Sequence, residues 1–114
     1  MSTPSEPYQS EHLASEPTRA SVDAAPGWVL LEFGAPWCGH CIAAQPALQQ
    51  LLAGRVGVRH VRVEDGAGRP LGRSFRIKLW PTLVLMRDGL EQVRLVRPVS
   101  LLDMAPLEAA LPPR

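Results

Sequence analysis

The chain has two cysteines, a single lysine, no long apolar run and no excess of either charge, and each scarcity narrows what it can be. Lys78 stands alone among 12 basic residues, the arginines are scattered, and the net charge is +1. That pattern gives no footprint for nucleic acid or an anionic membrane surface. No apolar stretch approaches the ~20 residues of a membrane span, so no membrane partner is expected. Met1 to Ala25 has no basic region followed by an apolar core, so no secretory signal is read there. The expected compartment is the cytoplasm, where a lone cysteine pair is catalytic or metal-binding rather than structural. No internal repeat is visible.

What is present describes one domain. A 114-residue chain buries roughly two-thirds of its unfolded surface, and 46% hydrophobic with 20% charged residues is ordinary for a globular protein. Residues 1–14 are rich in Ser, Pro, Glu and Thr and are expected to be a mobile tail, leaving 15–114 as the folded domain. Pro17 suits the first position of a helix running to Ala24, which Pro26-Gly27 ends. Trp28 to Phe33 reads as a strand covered on both faces. A helix from about Cys38 to Leu52 carries Ile42, Ala43, Leu48, Leu51 and Leu52 as its apolar face, with Gly54 beyond its end. Val58 to Val63 is a second strand, 64–69 a loop, and 70–75 a short helix. Leu83–Met86 and Gln92–Val96 flank Asp88-Gly89, a strong hairpin signal. Ser100 and Asp103 suggest a capping box for a last helix ending near Leu111, although Pro106 argues for a start at Asp103. This order implies an α/β fold: a mixed sheet with helices on both faces.

The chemistry concentrates in Phe33-Gly34-Ala35-Pro36-Trp37-Cys38-Gly39-His40-Cys41. Two residues between the cysteines let both sulfurs meet across one helical turn, where a disulfide can form and break without unfolding. With Pro46 in the following helix and Trp80-Pro81-Thr82 ahead of an apolar strand, the region from Trp28 to Leu111 resembles the thioredoxin superfamily. Glu32, Ala35-Pro36 and Gly39-His40 are similar to the catalytic domains of protein disulfide isomerase. The segment after Arg62 is closer to a small bacterial-type thioredoxin. Gly34 departs from both, since an aromatic residue is usual there, and Arg97 stands where the family often has glycine.

The resemblance implies a thioredoxin fold and assigns roles by position. Cys38, at a helix N-terminus whose N–H groups and dipole favour a thiolate, would attack a protein disulfide, and Cys41 would resolve the mixed disulfide, leaving a Cys38–Cys41 disulfide. His40, with Gly39 beside it, would tune the couple. Thioredoxin and the isomerase differ by about 90 mV, roughly 4 kcal/mol for two electrons. Glu32 is polar inside an apolar strand; burial is expected to raise its pKa and make it a proton acceptor for Cys41, with Arg62 nearby. Pro81 is expected in the cis form facing the dithiol, with Trp37, Trp80, Pro81 and Thr82 forming a substrate groove. Trp28 reads as core, and Arg97 as a surface residue near the groove.

The expected function is a thiol–disulfide oxidoreductase acting on protein disulfides or thiols and contributing to redox homeostasis. It is expected to be a monomer with no cofactor beyond its redox-active disulfide, recharged by an upstream dithiol reductase or glutathione. Reduction is the direction favoured in a cytoplasm; oxidation or isomerisation is open. One alternative is a binding or assembly module that uses the groove to hold a partner. A zinc site would need about four ligands, and only His12, His40 and His60 could join the two cysteines; no metal is expected.

Overall fold

The computed structural model describes residues 6–114. Its elements are α1 (Arg19–Ala24), β1 (Trp28–Gly34), α2 (Gly39–Leu52), β2 (Val58–Glu64), α3 (Pro70–Ser74), β3 (Thr82–Arg87), β4 (Leu90–Val96) and α4 (Ala105–Ala110). The strands form one sheet in the order β2-β1-β3-β4. β1 runs parallel to β2 and antiparallel to β3, and β3 pairs antiparallel with β4. Joining the parallel pair β1 and β2 needs a long crossover, which α2 supplies.

Side chains alternate between faces along a strand, and in β1 both sets are apolar. Val29, Leu31 and Phe33 point to one face, where Val61, Val63, Val84 and Met86 join them beneath Val22 of α1 and Leu71 of α3. Leu30 points the other way, into a cluster with Leu83, Leu85, the α2 residues Ala44, Leu48 and Leu52, and Leu107 of α4. Trp28 packs at the margin of this second cluster. The same alternation puts Glu32 on the α2 face. His60 and Arg62 of β2 fall there too, because Val61 and Val63 face away. One polar residue of β1 and two of β2 are thereby directed under the first turns of α2.

The β3–β4 connection follows the hairpin expectation. Asp88 and Gly89 both have positive φ, 49° and 79°, as a two-residue primed turn requires. Gly89 is needed on a second count: a Cβ there would lie 1.9 Å from the Asp23 carbonyl oxygen.

Several boundaries differ from expectation. Thr18 caps α1, its hydroxyl accepting the Ser21 N–H at 3.1 Å, so the helix begins beyond Pro17. In α2, Ile42 is 58% exposed and Ala43 is also exposed, while Ala44 and Ala47 are buried in their place. Ser100 and Asp103 do bond reciprocally, Asp103 Oδ2 accepting the Ser100 N–H and Ser100 Oγ accepting the Asp103 N–H, both at 3.1 Å. They close a turn, however, and α4 starts two residues later with Pro106 in its first turn.

The largest difference is at the N-terminus. Residues 1–5 of the expected mobile tail lie outside the described residues, but residues 6–13 are laid against the domain. The Leu13 N–H donates to the Arg62 carbonyl at 2.8 Å, along the outer edge of β2. Tyr8 packs against the α2-face cluster. Low hydrophobicity along this segment hid the few residues that anchor it.

Candidate functional site

Cys38 is the N-cap of α2, in extended conformation, and its Sγ accepts the Cys41 N–H at 3.2 Å. Both cysteines are free thiols, so this is the reduced state of the pair. They are not equivalent: Cys38 keeps 8% of its surface exposed and Cys41 1%. The Cys41 thiol is pushed up to about 12, by burial first, then by its hydrogen-bond relation to Cys38 and the nearby negative charge of Glu32. At Gly34, across from the pair, a Cβ would stand 2.5 Å from Cys41 Sγ. The aromatic residue expected by analogy is replaced here by one with no side chain, and the sulfur lies against the backbone.

On the exposed side of Cys38 is an open groove of about 370 Å3, lined by Trp37, Gly39, His40, Lys78, Trp80 and Arg97 among others. Trp37 is 74% exposed and stands edge-on to Trp80, with ring centroids 5.6 Å apart. Trp80 is fixed by its indole N–H, which donates to Asp65 Oδ2 at 2.9 Å. The Trp80–Pro81 peptide bond is cis. Pro81 and Thr82 are buried and do not line this cavity; the Thr82 hydroxyl donates back to the Leu79 carbonyl at 2.7 Å. Arg97 lies closer than a plain surface residue would. It holds φ +54°, its N–H donates to the Pro81 carbonyl at 2.7 Å, and its Nε–H donates to the Trp80 carbonyl at 3.0 Å.

On the buried side is Glu32, 1% exposed. Its Oε1 lies 2.8 Å from His60 Nε2 and 3.2 Å from Arg62 Nε, and its Oε2 accepts from the Gln45 side-chain amide at 2.7 Å. The Arg62 contact is an ion pair by distance, without the alignment of a hydrogen bond at Nε. Arg62 also donates to the Ser10 carbonyl. Burial alone pushes the Glu32 carboxyl up, as the sequence suggests. The hydrogen bond and the electrostatic interaction with His60, then the Arg62 charge and the Gln45 amide, outweigh it, and the net displacement is downward. Glu32 is therefore held as a carboxylate, a correction to the raised pKa expected from burial.

Sequence reasoning placed Arg62 near Glu32 but missed His60, Gln45 and Tyr8. His60 was legible in part: strand alternation from Val61 and Val63 turns it to the same face as Glu32. Gln45 and Tyr8 carried no signal. Among the described residues, no group of three or more His, Cys, Asp or Glu side chains is placed to hold a metal ion.

A mixed four-stranded sheet with helices on both faces, and a dithiol capping the helix that follows its central strand, defines the class of thioredoxin-fold dithiol proteins. Comparison with known proteins agrees. The family model described as Thioredoxin matches residues 10–105, and the chain belongs to the thioredoxin family. The solved structure of thioredoxin 2 from Pseudomonas aeruginosa PAO1, in its reduced form, superposes with a TM-score of 0.76 at 48% identity, covering 90% of this chain and 93% of that one. A curated thioredoxin from Haemophilus influenzae is 38% identical over 64 residues, which is 54% of this chain and 58% of the relative. Protein disulfide-isomerase A2 from Homo sapiens is 40% identical over 65 residues, 54% of this chain and 12% of that protein. The chain thus spans less than two-thirds of the length of these curated relatives.

Proposed function

We propose that this protein is a dithiol–disulfide oxidoreductase for protein substrates, working in the cytoplasm in the reducing direction and contributing to redox homeostasis. The observation that carries this reading is the inequality of the two thiols. Cys38 faces an open groove at a helix N-terminus, whereas Cys41 is sealed behind it with its proton firmly held. Cys38 Sγ attacks a substrate disulfide, one substrate sulfur leaves and takes a proton, and a mixed disulfide remains. Cys41 then loses its proton and attacks Cys38 Sγ. The second substrate sulfur is released as a thiol and the Cys38–Cys41 disulfide is left. Two electrons pass from the protein to the substrate, with no cofactor beyond the dithiol. An upstream dithiol reductase or glutathione would restore the reduced pair, and a monomer suffices because one chain contains every reacting group.

Trp37 and Trp80 supply an apolar rim for the substrate, and Pro81 and Thr82 hold the chain beside it. His40, exposed between the cysteines, is the residue suited to tune the couple. The resemblance to both thioredoxins and disulfide isomerases leaves two directions, and the redox potential against glutathione separates them. A value near about −270 mV supports a reductase, and one near about −180 mV an oxidant or isomerase. The chemistry itself is tested with a disulfide-bonded protein such as insulin. Cys41→Ser should accumulate a mixed disulfide through Cys38, and Cys38→Ser should reduce nothing. Full biological function in a Cys38→Ser, Cys41→Ser double variant would instead favour a binding module.

A further inference from the structure

The segment that reads as a tail in the sequence reaches the buried side of the dithiol. The Gln9 backbone N–H donates to His60 Nδ1 at 2.9 Å. A backbone amide can only donate, so Nδ1 carries a lone pair and the ring proton sits on Nε2. From there it is donated to Glu32 Oε1 at 2.8 Å. The Tyr8 ring stacks on the imidazole, centroids 5.5 Å apart and planes 25° from parallel. Its hydroxyl donates to Gln45 Oε1 at 2.8 Å. Gln45 Nε2 is thereby turned to its two acceptors, Glu32 Oε2 at 2.7 Å and the Cys41 carbonyl at 2.8 Å. Every bond in this chain has one consistent direction, and it runs from the arm to the resolving cysteine.

Charge balance points the same way. His60 meets Glu32 from β1 and Tyr8 and the Gln9 amide from the arm; Arg62 of β2 shares Glu32 with it, His12 of the arm lies within electrostatic reach of it and of Glu64, and neutral Gln45 of α2 holds the other Glu32 oxygen. Glu64 is engaged by Arg69 at 2.8 Å. Glu32 and Arg62 already neutralise one another, and the His60 and Glu32 side chains are 0% and 1% exposed. A second cation there would have to share the one buried carboxylate with Arg62, which is costly.

We infer that His60 is a positioning residue for the Cys41 half-reaction and that the N-terminal arm sets its form: the Gln9 amide keeps the imidazole a neutral Nε2–H donor, which orients Glu32 as an ionised acceptor beside Cys41. The inference rests on the oxidoreductase reading above. As Cys41 attacks the mixed disulfide, its S–H bond breaks and the proton goes to the Glu32 carboxylate. The Cys41–Cys38 bond forms as the Cys38–substrate bond breaks, the departing sulfur takes a proton from water, and Glu32 later returns its proton to solvent. A proton on His60 Nδ1 would turn the donor into a cation, stabilise the carboxylate further and make Glu32 a poorer acceptor.

The experiment pairs a spectrum with a rate. In 15N-labelled wild-type protein, long-range 1H–15N correlations at neutral pH should report His60 with a bare Nδ1 and a protonated Nε2. Gln9→Pro removes the one N–H in question, and its imidazole should no longer be confined to the form with the proton on Nε2. The rate at which Cys41 releases a Cys38-linked mixed disulfide should fall about tenfold below wild type at neutral pH. Tyr8→Phe retains the stacked ring and the Gln9 contact, and should keep the wild-type imidazole form. A wild-type His60 with its proton on Nδ1, or a Gln9→Pro variant whose imidazole changes while its release rate follows wild type, overturns the inference. If wild type releases no mixed disulfide at all, the oxidoreductase reading fails and this role with it, and the spectrum still reports whether the arm holds His60.

Discussion

The two sides of the dithiol are built on opposite principles. The side that Cys38 faces is open, with exposed aromatic and basic residues around a shallow groove. The side behind Cys41 is closed, and each oxygen of Glu32 has a nitrogen within 3.2 Å, drawn from β2 and α2. An exchange reaction needs both. The first attack requires access for a macromolecular disulfide, and the second requires a proton to leave a thiol that water does not reach. The contrast shows that two cysteines with only two residues between them can span the whole range from solvent to interior.

The contrast breaks most severely at Glu32. Glu32→Ala leaves Arg62 buried without its carboxylate, and should cost about 3–5 kcal/mol in denaturant unfolding at neutral pH. The same residue gives a pH signature. Its carboxyl sits below the ordinary 4.5 in the folded state, so its stabilisation is present above that value and is lost as pH falls through the lower folded value. Glu32→Gln should therefore flatten the acid limb of the stability curve and slow turnover while the fold persists; an unchanged acid limb would show that the carboxylate is not held by its donors.

A smaller break is available at Gly34. A methyl group there collides with Cys41 Sγ at 2.5 Å, and the sulfur must rotate or the strand must shift. Gly34→Ala should cost about 1–3 kcal/mol and slow the release of mixed disulfides more than their formation, which stopped-flow measurement of the two steps can separate. On the open side, His40→Pro sharpens the comparison without disturbing the interior. Its couple should become more reducing by about 30 mV, equivalent to about 1.4 kcal/mol, as read by equilibration with glutathione. No shift would remove His40 from the tuning role. The least effect is expected at Arg97. Its φ of +54° lies in the left-handed region that glycine occupies freely, and Arg97→Gly should change stability by less than about 1 kcal/mol while removing a cation from the groove rim.

Much of this molecule is readable along the chain, for reasons of range. The strands, α2, and the hairpin at Asp88-Gly89 follow from local alternation, capping and turn chemistry. The cysteine pair at the start of α2 follows from a four-residue motif. The buried side of the site does not, because its members come together from 28, 37 and 51 positions apart. Burial of Glu32 could be inferred from the apolar strand around it, but its net pKa depends on donors that no local pattern announces. Local competition accounts for the shifted helix ends. Thr18 offers a capping oxygen that Pro17 lacks, and Ser100 with Asp103 spend their bonds on a turn before α4 begins.

The Leu13–Arg62 backbone bond has a consequence for how copies of this protein meet. β2 is an outer strand of the sheet, and its free side displays amide and carbonyl groups able to accept a stranger's strand. The arm lies along that side, so the chain carries its own guard against edge-to-edge association. Cleavage between the arm and α1 would expose this edge, and the first symptom in storage or in a crowded cell would be self-aggregation.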